Sequence, residues 1–373
     1  MNRRLGHIAA TLALVALALF AARMGNGDGS AREAKKFSVE FFDTFDTLVS
    51  FTAFTKDEIE FEGYARVVHD EMLRLHRLFD IYHDHDGLVG MKAINDAAGG
   101  VPLSVDASIA DLLEIAKDAY EDTGGAVNVT LGPVLKIWHD HRDRAPANSG
   151  DAPIPSLEEL QAAATHVSAS DILIDREHST VLLRHADMRL DVGAAAKGYA
   201  VQKAVELLRD AGLKSGLINA GGNVVIIGPP LDGRESWNIG VRAPDLEELR
   251  PAESKLLDVL YLSDGAAVTS GSDQRYFTSG GRRYHHIIDP ETLFPAENVR
   301  SVTVRHPNST VADILSTAAF VLPPDRARAL IARHGAEALW VTGDGKKLAT
   351  PGYLARSQLV RSADAAKGGA AEP

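Results

Sequence analysis

Asp191 to Gly198 reads D-V-G-A-A-A-K-G and runs straight into the helical pattern Tyr199 to Leu208. The strand-like run Met188 to Leu190 before it ends in a carboxylate, a glycine and three alanines. Backbone amides at such a helix start can approach a phosphate without side-chain obstruction. Lys197 adds a mobile positive charge. A glycine and a lysine at a helix start also mark many plain strand-to-helix junctions, so the neighbouring segments decide the reading.

Downstream, Ser215 to Asn219 and Val224 to Gly228 are strand-like and flank Gly221 and Gly222. Trp237 to Arg242, Val259 to Ser263, Arg283 to Asp289 and Ser301 to Arg305 are further strands. Helices over Val311 to Val321 and Arg326 to His334 lead to a last strand, Ala338 to Thr342. Upstream, Thr47 to Phe54 alternates Val49, Phe51 and Ala53 on one face, as a half-buried strand does. Phe61, Tyr64, Val68, Met72, Leu75 and Phe79 then recur at helical spacing and form a core stripe. A second helix, Ala107 to Tyr120, stops at Gly124 and Gly125. Ile172 to Asp175 and Thr180 to Arg184 make a hairpin, with Met188 to Asp191 as a third strand. Strands and helices mix without strict alternation. That predicts one α+β domain over 37–361, a largely antiparallel sheet with flanking helices, carrying insertions that give it two lobes.

A chain of 373 residues holds ample core, and its net charge of -12 argues against an electrostatic nucleic-acid footprint. The absence of cysteine removes disulfides, thiolate nucleophiles and zinc-cysteine sites. Arg3 and Arg4 precede an apolar run, Ile8 to Ala22, of signal-peptide length. Residues 1–36 are therefore read as a signal peptide or uncleaved anchor plus spacer, and the body as exported to the periplasm, with membrane attachment if the segment stays. Residues 362–373 are a low-complexity tail, read as disordered.

Asp313 and Thr317 lie four apart on a predicted helix, hence on one face. A carboxylate and a hydroxyl are hard oxygen donors that suit Mg²⁺, although Asp in a first helical turn and a back-bonded Thr are also common structural features. Tyr284 to Pro290 (Y-H-H-I-I-D-P) puts His286 at a strand end, where a histidine can act as general base toward a hydroxyl. Ala267 to Gly271 (A-V-T-S-G) reads as a hydroxyl-rich turn. The triplets His83-Asp84-His85 and His139-Asp140-His141 lie in a turn and near a helix end, where a spacing of two does not align both rings, so neither is read as a metal site.

Taken in order, G-A-V-N-V-T-L-G-P, D-V-G-A-A-A-K-G-Y-A, A-G-G-N, A-V-T-S-G, H-H-I-I-D-P and A-D-I-L-S-T-A resemble the ApbE family of FAD:protein FMN transferases, over about Phe41 to Thr342. The resemblance implies an exported, Mg²⁺-dependent enzyme of T-fold-like architecture. FAD would bind in a cleft, a Thr or Ser hydroxyl of a target redox protein would attack the FMN phosphorus, and AMP would leave. By motif, Asp191 and Lys197 would contact FAD, and the Ala194 carbonyl would join Asp313, Thr317 and Ser316 around Mg²⁺. His286 matches the proposed base, Ile287 and Ile288 line the cofactor, Tyr82 sits where a flavin-gating aromatic is expected, and Ala126, Val127 and Asn128 match a cofactor-contacting run. Asn128 stands where the family usually has Asp. Leu293 replaces the Gly expected after D-P-x-T, so that turn must avoid a positive φ or be strained. Two rival readings stay open: an FAD pyrophosphatase with water as nucleophile, and a protein that binds FAD without turnover.

Overall fold

The computed structural model describes residues 34–145, 152–244 and 256–359. The expected leader or anchor before residue 34 and the 362–373 tail lie outside these residues. Eight strands form one sheet, in the spatial order Lys35–Thr44, Thr47–Thr55, Gly216–Ala220, Asn223–Ile227, Gly265–Gly271, Val299–His306, Glu337–Thr342 and Lys347–Ala349. Every neighbouring pair is antiparallel. The α+β, largely antiparallel expectation is therefore met.

The strand Asn223–Ile227 is buried at every position, because both faces of the sheet are covered. Side chains alternate across a strand, so Val225 and Ile227 enter the core under the helices Glu58–Phe79, Ala196–Asp210 and Ser309–Val321. Val224 and Ile226 face the other way, into a core closed by the hairpin Trp237–Arg242/Leu256–Leu262 and by Tyr353. A smaller third core joins Val134 and Trp138 of the helix Gly132–Arg144 to Phe277 and Tyr284 of the hairpin Tyr276–Ser279/Arg282–His285. The site lies between this lobe and the helix-covered face.

Three expectations change. Met188 to Asp191 is no strand: the Asn95 side chain takes both backbone groups of Leu190, accepting at 2.6 Å and donating at 3.0 Å, and so replaces a ladder. Ala267 to Gly271 is not a turn but part of a central strand, since Thr269 pairs with Thr303 across it and their hydroxyls meet at 2.9 Å. The strand beginning at Arg282 ends at His285, and the following turn is closed by Leu293 N–H donating to the Asp289 carbonyl at 2.8 Å. Leu293 there adopts φ of 63° without being glycine. That conformation costs about 1–2 kcal/mol. Burial of its side chain beside Trp138, worth roughly 1.5–3 kcal/mol, offsets it.

Candidate functional site

The site begins with two helices held closer than side chains normally permit. Gly198 N–H, in the first turn of Ala196–Asp210, donates to Asp313 Oδ2 at 2.7 Å. A Cβ on Gly198 would stand 2.5 Å from Asp313 Cβ and 2.8 Å from the Ser309 carbonyl oxygen. Gln202 Oε1, one turn on, accepts from Ser309 N–H at 2.9 Å and ties the same two helices again. The glycine of the opening motif thus serves helix contact, and its amide is spent on a carboxylate rather than left for a phosphate. Gly198→Ala gains about 1 kcal/mol of helix propensity but must force the helices apart, so a net loss of roughly 2 kcal/mol is expected. Chemical denaturation measures it, and a variant as stable as the parent would contradict this packing.

Beside this contact opens a cleft of about 390 Å³. Asp191, Ala194 and Lys197 line it from the junction, Asp313 and Thr317 from the facing helix, and Ala126, Val127 and Asn128 from the segment before Gly132–Arg144. His286, Ile287 and Ile288 enter after the small hairpin, and Tyr82 from the turn after Glu58–Phe79. Segments far apart in sequence therefore converge on one cleft. Ser316 is the exception among the expected residues. It is fully buried, its hydroxyl donates to the Asp313 carbonyl at 2.9 Å and meets Ser270 Oγ at 2.7 Å, and it is absent from the cleft wall. Thr317, by contrast, carries no side-chain hydrogen bond among the described residues and lines the cleft. Burial pushes the Asp313 carboxyl up, while the Lys197 charge and the Gly198 amide oppose that shift.

The two adjacent histidines are set apart by their bonds. His285 Nδ1 accepts from Ile287 N–H at 3.3 Å and its Nε2 lies 2.9 Å from the Ala296 carbonyl, which requires a neutral ring protonated on Nε2. Burial holds it down to about 4. His286 Nδ1 lies 3.1 Å from the Gln274 carbonyl, an acceptor only, so the proton sits there and Nε2 keeps its lone pair. Burial, with the Arg275 charge second, holds His286 down to about 3. In an unfolded chain both rings take up protons below about pH 6.5, whereas the folded ones do not until about 4 and 3. The unfolded state therefore binds more protons, and stability falls as pH drops below 6.5. Urea midpoints between pH 6.5 and 5 are expected to decline, and less steeply in His286→Gln; an identical slope would contradict the assignment.

Tyr82 is half-exposed at the cleft mouth, and its hydroxyl meets His139 Nδ1 at 3.0 Å. Burial and the Asp191 charge push the phenol up to about 12, so it stays protonated. One histidine of the second triplet is thus a partner of Tyr82, while His83 and His85 both grip the Asp80 carboxylate, at 3.1 and 3.0 Å. Among the described residues no group of three or more His, Cys, Asp or Glu side chains forms a metal cluster. Asn128 has a structural reason to be an amide. It donates to the Val167 carbonyl at 2.7 Å while accepting from Thr130 N–H at 2.9 Å, and a carboxylate cannot do the first.

Sequence reading overlooked Arg275, which lines the cleft at φ of 50°. A lone arginine in a loop carries no periodic or motif signal.

A Treponema pallidum protein named FAD:protein FMN transferase is 38% identical over 72% of this chain and 75% of its own length. A Klebsiella pneumoniae protein of the same name is 31% identical over 74% and 83%. The crystal structure of the Thermotoga maritima ApbE protein superposes with a TM-score of 0.74 at 30% identity, covering 86% of this chain and 99% of that one. The Vibrio cholerae flavin transferase ApbE, 22% identical with a TM-score of 0.71 over 86% and 98%, shares the fold. The ApbE family model itself matches residues 45–340, a span that contains every cleft-lining motif from Tyr82 to Thr317, and the chain belongs to the ApbE family.

Proposed function

We propose that this chain is an exported FAD:protein FMN transferase, which moves the FMN part of FAD onto a Thr or Ser hydroxyl of an exported or membrane redox protein and releases AMP. One observation carries it: a single cleft gathers His286 with a free Nε2 lone pair, the Lys197 cation, and the oxygens of Asp313, Thr317 and Ala194. The names of the Treponema and Klebsiella relatives support the same reaction.

The donor set fits Mg²⁺. One carboxylate, one hydroxyl and one backbone carbonyl are hard ligands, too few to enclose a cation and suited to one that keeps waters and takes phosphate oxygens. Asp313, Thr317 and the Ala194 carbonyl would hold it, without Ser316. When bound, Mg²⁺ neutralises diphosphate charge and polarises the phosphorus under attack. The chain's own residues do the rest. Ala126, Val127, Ile287 and Ile288 offer an apolar wall to the flavin, and Tyr82 covers the mouth. His286 Nε2 takes the hydroxyl proton of the acceptor as its oxygen bonds to the FMN phosphorus. The bond from that phosphorus to the bridging oxygen breaks, and AMP leaves with the electron pair. Phosphoryl transfer needs chiefly such positioning and charge neutralisation.

The apolar run Ile8 to Ala22 supports export, and no helix among the described residues is long and apolar enough to cross a membrane. The test incubates purified protein with FAD, Mg²⁺ and exported redox subunits of the same cell. Intact mass spectrometry is expected to show one subunit gaining an FMN residue, with one AMP released per adduct. AMP and free FMN without any adduct would replace this reading by hydrolysis, and bound FAD without either product by storage.

A further inference from the structure

We propose that Arg275 is a catalytic residue of this cleft, its guanidinium taking the non-bridging oxygens of the FMN phosphate as the acceptor hydroxyl attacks. The inference rests on the transferase reading above. Arg275 holds φ of 50°, a left-handed conformation that a residue with a Cβ adopts only at a cost, and such outliers cluster at functional sites. The strained residue immediately follows Gln274, whose carbonyl receives the His286 Nδ1 proton at 3.1 Å. One backbone turn therefore fixes the tautomer of the base and presents a cation beside it.

That cation is uncommitted. Arg142 pairs with Asp143 at 3.2 Å and Arg189 donates to the Ile81 carbonyl at 3.1 Å, whereas Arg275 has no ion pair or hydrogen bond of its side chain among the described residues. In a chain of net charge -12, an unpaired arginine in a cleft is a position where an anion is wanted. Arg275 acts on His286 and also on Tyr82 and His139, whereas Lys197 acts on Asp313. Both cations line the one cleft, and Arg275, next to Gln274, stands with the base. In the attack the acceptor oxygen bonds to phosphorus, its proton passes to His286 Nε2, and the bond to the AMP oxygen breaks. Charge spreads over the non-bridging oxygens meanwhile, and a planar guanidinium matches two of them.

The test compares Arg275→Gly, which removes the side chain and suits the backbone, with Arg275→Lys, using FAD and the acceptor protein found in the assay above. Both variants are expected to keep the parent's melting temperature. In Arg275→Gly, kcat falls on the order of 10²-fold while the KM values for FAD and acceptor move only a few-fold. Arg275→Lys recovers part of the rate, as does guanidinium added to Arg275→Gly. An unchanged kcat with a raised KM for acceptor would assign Arg275 to docking the protein substrate and overturn the proposal, as would a loss that tracks melting temperature. A parent protein that forms no adduct would sink the transferase reading itself, an outcome distinct from a loss confined to the variants.

Discussion

Asp313→Asn is expected to fold as the parent does and to lose flavin transfer by at least about 10²-fold. An asparagine oxygen still accepts from Gly198 N–H, the 2.7 Å bond that joins the two helices, so the packing survives. What disappears is the one negative charge that the cleft offers a divalent cation from the Ser309–Val321 helix. Groups that merely support a metal ligand are worth about 10–100-fold in affinity, and a ligand itself is worth at least the upper end of that range. The measurement is rate against Mg²⁺ concentration, with melting temperature alongside. Asp313→Ala is less clean, because it leaves the buried Gly198 amide without an acceptor, at about 1–3 kcal/mol. Full activity of Asp313→Asn at limiting Mg²⁺ would remove Asp313 from the metal site.

His286→Gln is expected to lower kcat by roughly 10²–10⁴-fold, the usual worth of a positioned general base. Its neighbour is the internal control. His285 is locked between Ile287 N–H and the Ala296 carbonyl, so its substitution reaches stability before chemistry. Because burial and Arg275 hold His286 down to about 3, the parent's rate shows no acid limb near pH 6.5, the ordinary histidine range. A limb at 6.5 in the parent that vanished in His286→Gln would show a base titrating normally, contrary to its desolvated place beside Arg275.

Much of this was legible because the sheet and helices obey simple periods. Val49, Phe51 and Ala53 alternate and are all buried; Phe61, Val68, Met72, Leu75 and Phe79 recur helically and are all buried. The site was legible only as an ordered set of short motifs, since nothing local in D-V-G-A-A-A-K-G says which helix it meets. Three features escaped for physical reasons. Gly198 suits a phosphate loop and a tight helix crossing equally, and only the facing Asp313 decides between them. Ser316 lies one residue from Thr317, yet successive helix positions diverge by about 100°, which turns it from the cleft into the sheet toward Ser270. The edge strand Lys35–Thr44 alternates weakly, with Lys35, Lys36, Glu40 and Asp43 exposed on it beside Phe42, and charges of this kind guard an edge.

In the proposed reaction Asp313, Thr317 and the Ala194 carbonyl would hold one cation against the diphosphate of FAD. Crystals grown with FAD and Mn²⁺, an anomalous scatterer that takes the same hard ligands as Mg²⁺, test it directly. The expected result is one anomalous peak within about 2.2 Å of all three protein oxygens, touching the FAD phosphates, with His286 Nε2 beside the FMN phosphorus. A peak elsewhere, or FAD seated in the cleft with its diphosphate turned away from Asp313, would contradict the account.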